Sequence, residues 1–163
     1  MMDKTQMKSI EILKNELSEL QKDPLIALGV TVGSIDGNVF KWRITMTGPQ
    51  DTPYAKGLFI LNAEFPKDYP VHGPNIKFKN KIYHLNVSAQ GDVCISTLNK
   101  WVKGTTMSEV LSLIFALFYK QNPKDPYDYD MANLYNTNRV QFDKNVREYT
   151  QKYADPSKDE LYE

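Results

Sequence analysis

Thiol and imidazole are scarce in this sequence: 163 residues hold one cysteine, Cys94, and two histidines, His72 and His84. One cysteine excludes an internal disulfide, and together these three residues make no recognisable metal-ligand spacing. Excess charge of either sign is also missing. Twenty Lys and Arg balance twenty Asp and Glu, so nothing concentrates a phosphate backbone or an anionic membrane. Neither nucleic acid nor membrane is an expected partner. The most apolar run, "VLSLIFALFY" at Val110–Tyr119, is about half of the roughly 20 residues that span a bilayer, and reads as a core helix. The polar start "MMDKTQMKS" lacks the apolar core of a secretory signal. "KDEL" at Lys158–Leu161 is followed by Tyr162 and Glu163, whereas that retention address is read only at the extreme C-terminus. A reducing compartment, cytoplasmic or nuclear, is the expectation.

What is present has a clear order. The length suits one domain, residues 1–163, that buries roughly two thirds of the unfolded chain's surface. In "MKSIEILKNELSEL", Ile10, Leu13, Leu17 and Leu20 recur at helical spacing with charges between them. That is an amphipathic helix over Met7–Leu20, stopped before Pro24. The period then changes: "ALGVTV", "VFKWRITMT", "GLFILNAEF" and "NIKFKNKIY" are short β-rich runs. Turn signals separate them at Asp36-Gly37-Asn38, at Gly48-Pro49 and within "FPKDYPVHGPN". They read as a four-stranded antiparallel meander. Thr106-Met107-Ser108-Glu109 is a capping-box pattern ahead of the apolar run, whose nearly all-round apolarity predicts burial. Last, Met131, Leu134, Phe142, Val146, Tyr149 and Tyr153 fall on one stripe, split into two helices around Asn136–Asn138. The class is α+β: N-terminal helix, meander, long active-site loop, C-terminal helices.

That loop, Tyr83–Met107, carries little regular signal, and long loops inside compact domains are usually functional. It holds "YHLNVSAQGDVCISTL". A cysteine is the most nucleophilic side chain available even when only a few per cent ionised, so acyl transfer through Cys94 is feasible. Asn86 is the local candidate for a donor to a developing oxyanion. The competing reading is a small buried hydrophobe, with Val93 and Ile95 as wall material. Spacing alone leaves both open.

Over about Met7–Tyr153 the chain resembles the ubiquitin-conjugating enzymes. Its landmarks are "LQKDP", "FKWRITMTGPQDTPYAKGLF", "FPKDYP", "IYHLN", "GDVCIS", Trp101, "QNPKDP" and "VREYTQKYA", in the family's order. The resemblance implies a four-stranded sheet flanked by helices, with a core of about residues 7–154 between short polar extensions. It implies an acyltransferase: Cys94 accepts ubiquitin's C-terminal carboxyl as a thioester from an activating enzyme, then yields it to a substrate lysine or a ligase cysteine. Asn86 falls at the family's oxyanion-stabilising position, and His84 braces the loop without acting as general base. Asp125 matches the acidic residue that orients the incoming lysine and favours its deprotonation. Tyr83, Leu85 and Ser96 complete the supporting set. Val71, Trp101, Val102, Lys103 and Gly104 mark the implied ligase-binding surface. No bound cofactor is implied, ATP being used by the activating enzyme, and the implied partners are ubiquitin, that enzyme, a ligase and protein substrates, with a monomer expected.

Several positions depart from the family pattern. The tripeptide His-Pro-Asn is His84-Leu85-Asn86 here. Ser96 replaces an acidic residue that many members carry. Val102-Lys103-Gly104 stands for Ser-Pro-Ala, Val71 for Phe, Glu11 and Ile12 for residues that are often basic, and Ser112 for an apolar residue. A proline at Leu85 would suit a loop on the family's path if the Leu85 N–H has no acceptor; a bonded N–H would mean a path of its own. Conjugation of another ubiquitin-like modifier is an alternative reading. So is an inactive ubiquitin-binding adaptor, against which Cys94 argues because such relatives lack the cysteine.

Overall fold

The computed structural model describes residues 2–162. The first helix, α1 (Lys4–Leu20), starts three residues before the expected Met7 because the Asp3 carboxylate caps it, accepting the Gln6 N–H at 2.8 Å. It buries Leu13 and Leu20. A short helix the periodicity does not show, α2 (Pro24–Ala27), follows at once. Asp23 accepts from the Leu25 N–H at 3.0 Å, and proline suits the first turn, where its missing N–H is not needed. With the turn that ends it, this helix takes Ala27, Leu28 and Gly29 from the first expected strand.

Strands β1 (Val30–Ile35), β2 (Asn38–Thr47), β3 (Leu58–Glu64) and β4 (Asn75–Phe78) form an antiparallel sheet in the order β1-β2-β3-β4. Asp36 and Gly37 join the first pair with φ of 52° and 73°, the left-handed geometry of a two-residue hairpin. Alternation puts Trp42, Ile44 and Met46 in the core while Lys41 and Arg43 face outward. β4 is much shorter than the run "NIKFKNKIY" suggests. After Phe78 the Asn80 side chain replaces the strand's backbone, accepting the Ile60 N–H at 2.9 Å and donating to the carbonyls of Leu58 and Tyr153 at 3.1 and 3.2 Å. One asparagine therefore ends the sheet and ties it to the last helix.

Beyond the loop lie α3 (Ser96–Asn99), α4 (Met107–Ala116), α5 (Tyr129–Thr137) and α6 (Arg139–Tyr153), then a 3-10 turn at Asp159–Tyr162. The Thr106–Glu109 capping box forms as expected. The expectation of all-round burial does not hold for the helix it starts. Val110, Leu111, Ile114 and Phe115 are buried, while Ser112, Leu113 and Ala116 are exposed. Asn138 both ends α5 and caps α6, accepting the Gln141 N–H at 3.2 Å. Buried apolar residues from Leu13 to Ala154 join one cluster between the sheet and the helices. Among the described residues no helix is long and apolar enough to cross a membrane.

Candidate active site

The segment carrying Cys94 is folded back on the segment carrying Asn86. The Cys94 N–H donates to the Asn86 carbonyl at 2.8 Å, Val87 pairs with Val93, and Ser88 N–H donates to the Asp92 carbonyl at 2.8 Å. Gly91 makes the return possible. Its φ is +91°, and a Cβ there would lie 2.2 Å from the Phe78 carbonyl oxygen, so only glycine fits. Gly91 N–H bonds Ser88, and its carbonyl takes the Phe78 N–H at 2.9 Å, hanging the turn on β4. Local chain reversal thus sets the thiol beside the "HLN" backbone.

That backbone is held by buried polar groups. Asn86 is 0% exposed, and its amide donates to the carbonyls of Asn122 and Asp125 at 2.9 and 3.2 Å while its oxygen accepts the Asn122 N–H at 2.8 Å. Both amide hydrogens are engaged. An oxyanion could receive one only by displacing a carbonyl, and the bond to Asp125 is the longer of the two.

His84 has both ring nitrogens committed. Nε2 donates to the Leu117 carbonyl at 2.8 Å, and Nδ1 accepts the Asn86 N–H at 2.9 Å. Burial lowers its pKa to about 4, against the smaller opposing effect of the Leu117 carbonyl. A neutral ring with no free lone pair is a brace. Below about pH 6.5 the unfolded chain therefore binds a proton that the native state refuses until about pH 4. Native stability should fall by about 1.4 kcal/mol per pH unit across that window, and His84→Gln should flatten the slope. Urea midpoints at pH 7, 6 and 5 test this; equal slopes in both proteins would rule it out.

Leu85 does not follow the path in which its N–H is unneeded. It is 0% exposed, its N–H donates to Gln121 Oε1 at 2.7 Å, and its carbonyl takes the Tyr127 N–H at 3.0 Å. Gln121 Nε2 donates to the Tyr54 hydroxyl at 2.8 Å, which donates in turn to the Tyr83 carbonyl at 2.5 Å. Burial raises the Tyr54 pKa well above its usual value, so the phenol remains a donor. The chain Leu85–Gln121–Tyr54–Tyr83 clamps the backbone on both sides of His84. Neither Gln121 nor Tyr54 stands out by periodicity, although both lie within the landmark motifs.

Cys94 itself is half-buried, between buried Val93 and half-buried Ile95. Sγ lies 3.9 Å from Asn99 Nδ2 on α3, the short helix that Ser96 begins. Asp125 is exposed, joined to the site by its backbone carbonyl; its carboxylate has no hydrogen bond or ion pair among the described residues. Tyr127, which no sequence pattern singles out, is 48% exposed two residues after Asp125. Partial burial first, and then the nearby Cys94 and Asp92, raise its pKa.

The expected ligase-binding residues also come together. Trp101 Nε1 donates to the Pro70 carbonyl at 2.9 Å and its ring packs 5.8 Å from that of Tyr69. This brings exposed Val71 alongside exposed Val102, Lys103 and Gly104. Gly73 lets the indole lie flush, since a Cβ there would meet the ring at 2.4 Å.

An α+β fold of this topology, with a polar-braced loop presenting one half-buried thiol, agrees with a comparison at the level of the whole chain. Residues 12–150 match the family model for ubiquitin-conjugating enzymes. The match covers the second half of α1, the meander, the thiol loop and most of α6, and the chain belongs to the ubiquitin-conjugating enzyme family.

Proposed function

We propose that the chain is an active ubiquitin-conjugating enzyme that carries ubiquitin on Cys94. The observation supporting this is the half-buried Cys94 on a loop whose neighbouring backbone is fixed by buried hydrogen bonds at Asn86, Leu85 and His84. Deprotonated Cys94 attacks the thioester carbonyl presented by an activating enzyme. A new S–C bond forms and the upstream thiolate leaves. A substrate lysine, neutral when it attacks, then forms the isopeptide N–C bond, its proton passes to solvent, and the Cys94 thiolate departs. Asp125, exposed next to the loop, attracts and orients that lysine, whose free pKa of ~10.4 leaves it almost wholly charged at neutral pH. Ubiquitin rather than another modifier is part of the proposal, as are a RING or other ligase on the Val71–Trp101 face and a monomeric, cytoplasmic or nuclear enzyme.

The test is incubation with ubiquitin-activating enzyme, ATP and ubiquitin. An adduct that reducing agent removes is expected; its absence with ubiquitin but presence with a different modifier would reject the choice of ubiquitin.

Asn86 has two roles in this reading, loop brace at rest and donor to the tetrahedral oxyanion during discharge. Asn86→Ala should lower stability by about 2–4 kcal/mol, because it strands buried backbone partners. It should also slow lysine discharge about 10²-fold, the low end for losing an oxyanion donor. Denaturation and single-turnover discharge measure the two separately. Lower stability with unchanged discharge would leave Asn86 a brace alone.

A further inference from the structure

Lysines are matched with acids unevenly on this surface. Lys77 on β4 meets the Asp92 carboxylate at 3.3 Å, whereas Lys79, Lys81, Lys152 and Lys158 are all exposed and make no ion pair among the described residues. These four line one cavity of about 190 Å³. They come from three segments: the chain just past β4, the end of α6, and the residue before the last 3-10 turn. The one carboxylate in the lining is Asp155, and its Oδ1 accepts the Ser157 N–H and hydroxyl at 2.9 and 2.7 Å. Four ammonium groups therefore share a single counter-charge.

On an ordinary solvated face, long lysine side chains swing apart into water. Here they are restrained. Lys81 Nζ and Lys152 Nζ each stand 5.1 Å from the centroid of the Tyr153 ring, within cation–π range. Their charges are thus no more than about 10 Å apart, twice that distance and about one Debye length at 0.1 M salt, so they repel each other. Lys158 Nζ donates to the carbonyls of Gln151 and Lys152 at 3.4 and 3.3 Å, at the end of α6 that favours a cation. An ammonium has a third hydrogen, which remains for a ligand. The supports are firm as well. Asn80, between Lys79 and Lys81, is fixed by its three side-chain hydrogen bonds, and buried Leu161 anchors the turn that follows Lys158.

We propose that this cavity is a binding site for a phosphate group, taken as free phosphate or as a phosphomonoester. A group with close to two negative charges and three or more acceptor oxygens removes the repulsion among the lysines and satisfies their free donors together. The volume is several times the roughly 30 Å³ that one water takes in the liquid, which suits one compact anion rather than a polymer. None of the exposed large apolar side chains among the described residues lines it, so nothing at its rim inserts into a lipid surface. A chain of zero net charge offers nucleic acid no wider basic stripe. Bound phosphate ties the segment past β4, α6 and the C-terminal turn to one another.

Inorganic phosphate is the first probe, titrated at neutral pH into isotope-labelled full-length protein with ionic strength held constant by sodium chloride. The amide resonances of Lys81, Lys152 and Lys158 should move along one saturating curve, with a dissociation constant of about 1 mM. Phosphate at about 20 mM should then raise the thermal midpoint by about 4 °C over the chloride control. Lys81→Ala with Lys152→Ala should weaken binding at least about ten-fold and remove most of that rise, circular dichroism showing that the variant is folded. An equal rise in the paired variant would be the general salting effect of phosphate and would overturn the site. Shifts that stay linear in phosphate would do the same. A phosphoserine peptide that binds more tightly than phosphate, while its unphosphorylated form does not bind, would identify a phosphomonoester as the source; equal or weaker binding would identify free phosphate. Binding to vesicles containing phosphatidic acid, with none to phosphate or the peptide, would reject a compact site in favour of a membrane surface. Cys94→Ala should bind phosphate as the parent does, so the site and the thioester reading stand or fall separately.

Discussion

Cys94→Ala is expected to eliminate the reductant-labile ubiquitin adduct completely, and Cys94→Ser to replace it with a reductant-resistant oxyester or with nothing. The chain has no other thiol that could substitute. Fold and chemistry separate cleanly at this position. The interaction that fixes residue 94 is its backbone N–H bonded to the Asn86 carbonyl, which survives either substitution, and Sγ makes only a long contact, 3.9 Å, with Asn99. The denaturation midpoint should therefore move little, within the small range usual for substitutions outside the core. Serine keeps the shape and loses the chemistry, because a hydroxyl is far less ionised than a thiol and needs an adjacent base to attack. The nearest imidazole cannot be that base, since both nitrogens of His84 are bonded. A labile adduct on Cys94→Ala, measured by non-reducing electrophoresis, would exclude Cys94 as the acceptor and with it the proposed reaction.

Leu85→Pro should destabilise the fold by about 3–5 kcal/mol and impair charging, although proline is the residue the family pattern has there. Proline would remove the N–H that Gln121 Oε1 accepts at 2.7 Å, leaving a buried acceptor unpaired at about 1–3 kcal/mol. It would also shrink a side chain that is 0% exposed, adding a cavity cost of the scale of a partial core truncation. Against this, the entropy that proline removes from the unfolded chain contributes only about 0.4–1 kcal/mol. The damage should extend to the thiol, because the same clamp reaches Tyr83 through Tyr54 and aligns Asn86 one residue on. Adding Gln121→Leu to Leu85→Pro should recover about 1–2 kcal/mol, since no buried amide oxygen is then left waiting for a donor, whereas Gln121→Leu alone should destabilise. A double-mutant cycle by urea denaturation, run beside a charging assay, measures this coupling. A proline variant as stable as the parent would show that the Gln121 bond contributes nothing.

Local sequence was enough for much of this protein. The Thr106–Glu109 box marks a real helix start, Asp36-Gly37 a real hairpin, and Asn138 a real helix boundary, because caps and tight turns depend on residues within a few positions of one another. Single-residue polar substitutions for backbone were not readable in the same way. Asn80 ends β4 by bonding Ile60, Leu58 and Tyr153, partners up to 73 residues distant, and α2 follows so closely on α1 that no periodicity can form. At the site, the resemblance indicated Cys94, Asn86, His84 and Asp125, and the sequence alone fixed the presence of one thiol near two polar neighbours. Only the tertiary structure decided how they are used. Whether Asn86 has a free hydrogen, whether His84 has a free lone pair and whether Leu85 tolerates proline all depend on Leu117, Gln121, Asn122 and Asp125, between 33 and 39 residues away along the chain. Hydrogen-bond satisfaction is a property of what burial brings together, and spacing along the chain carries no record of it.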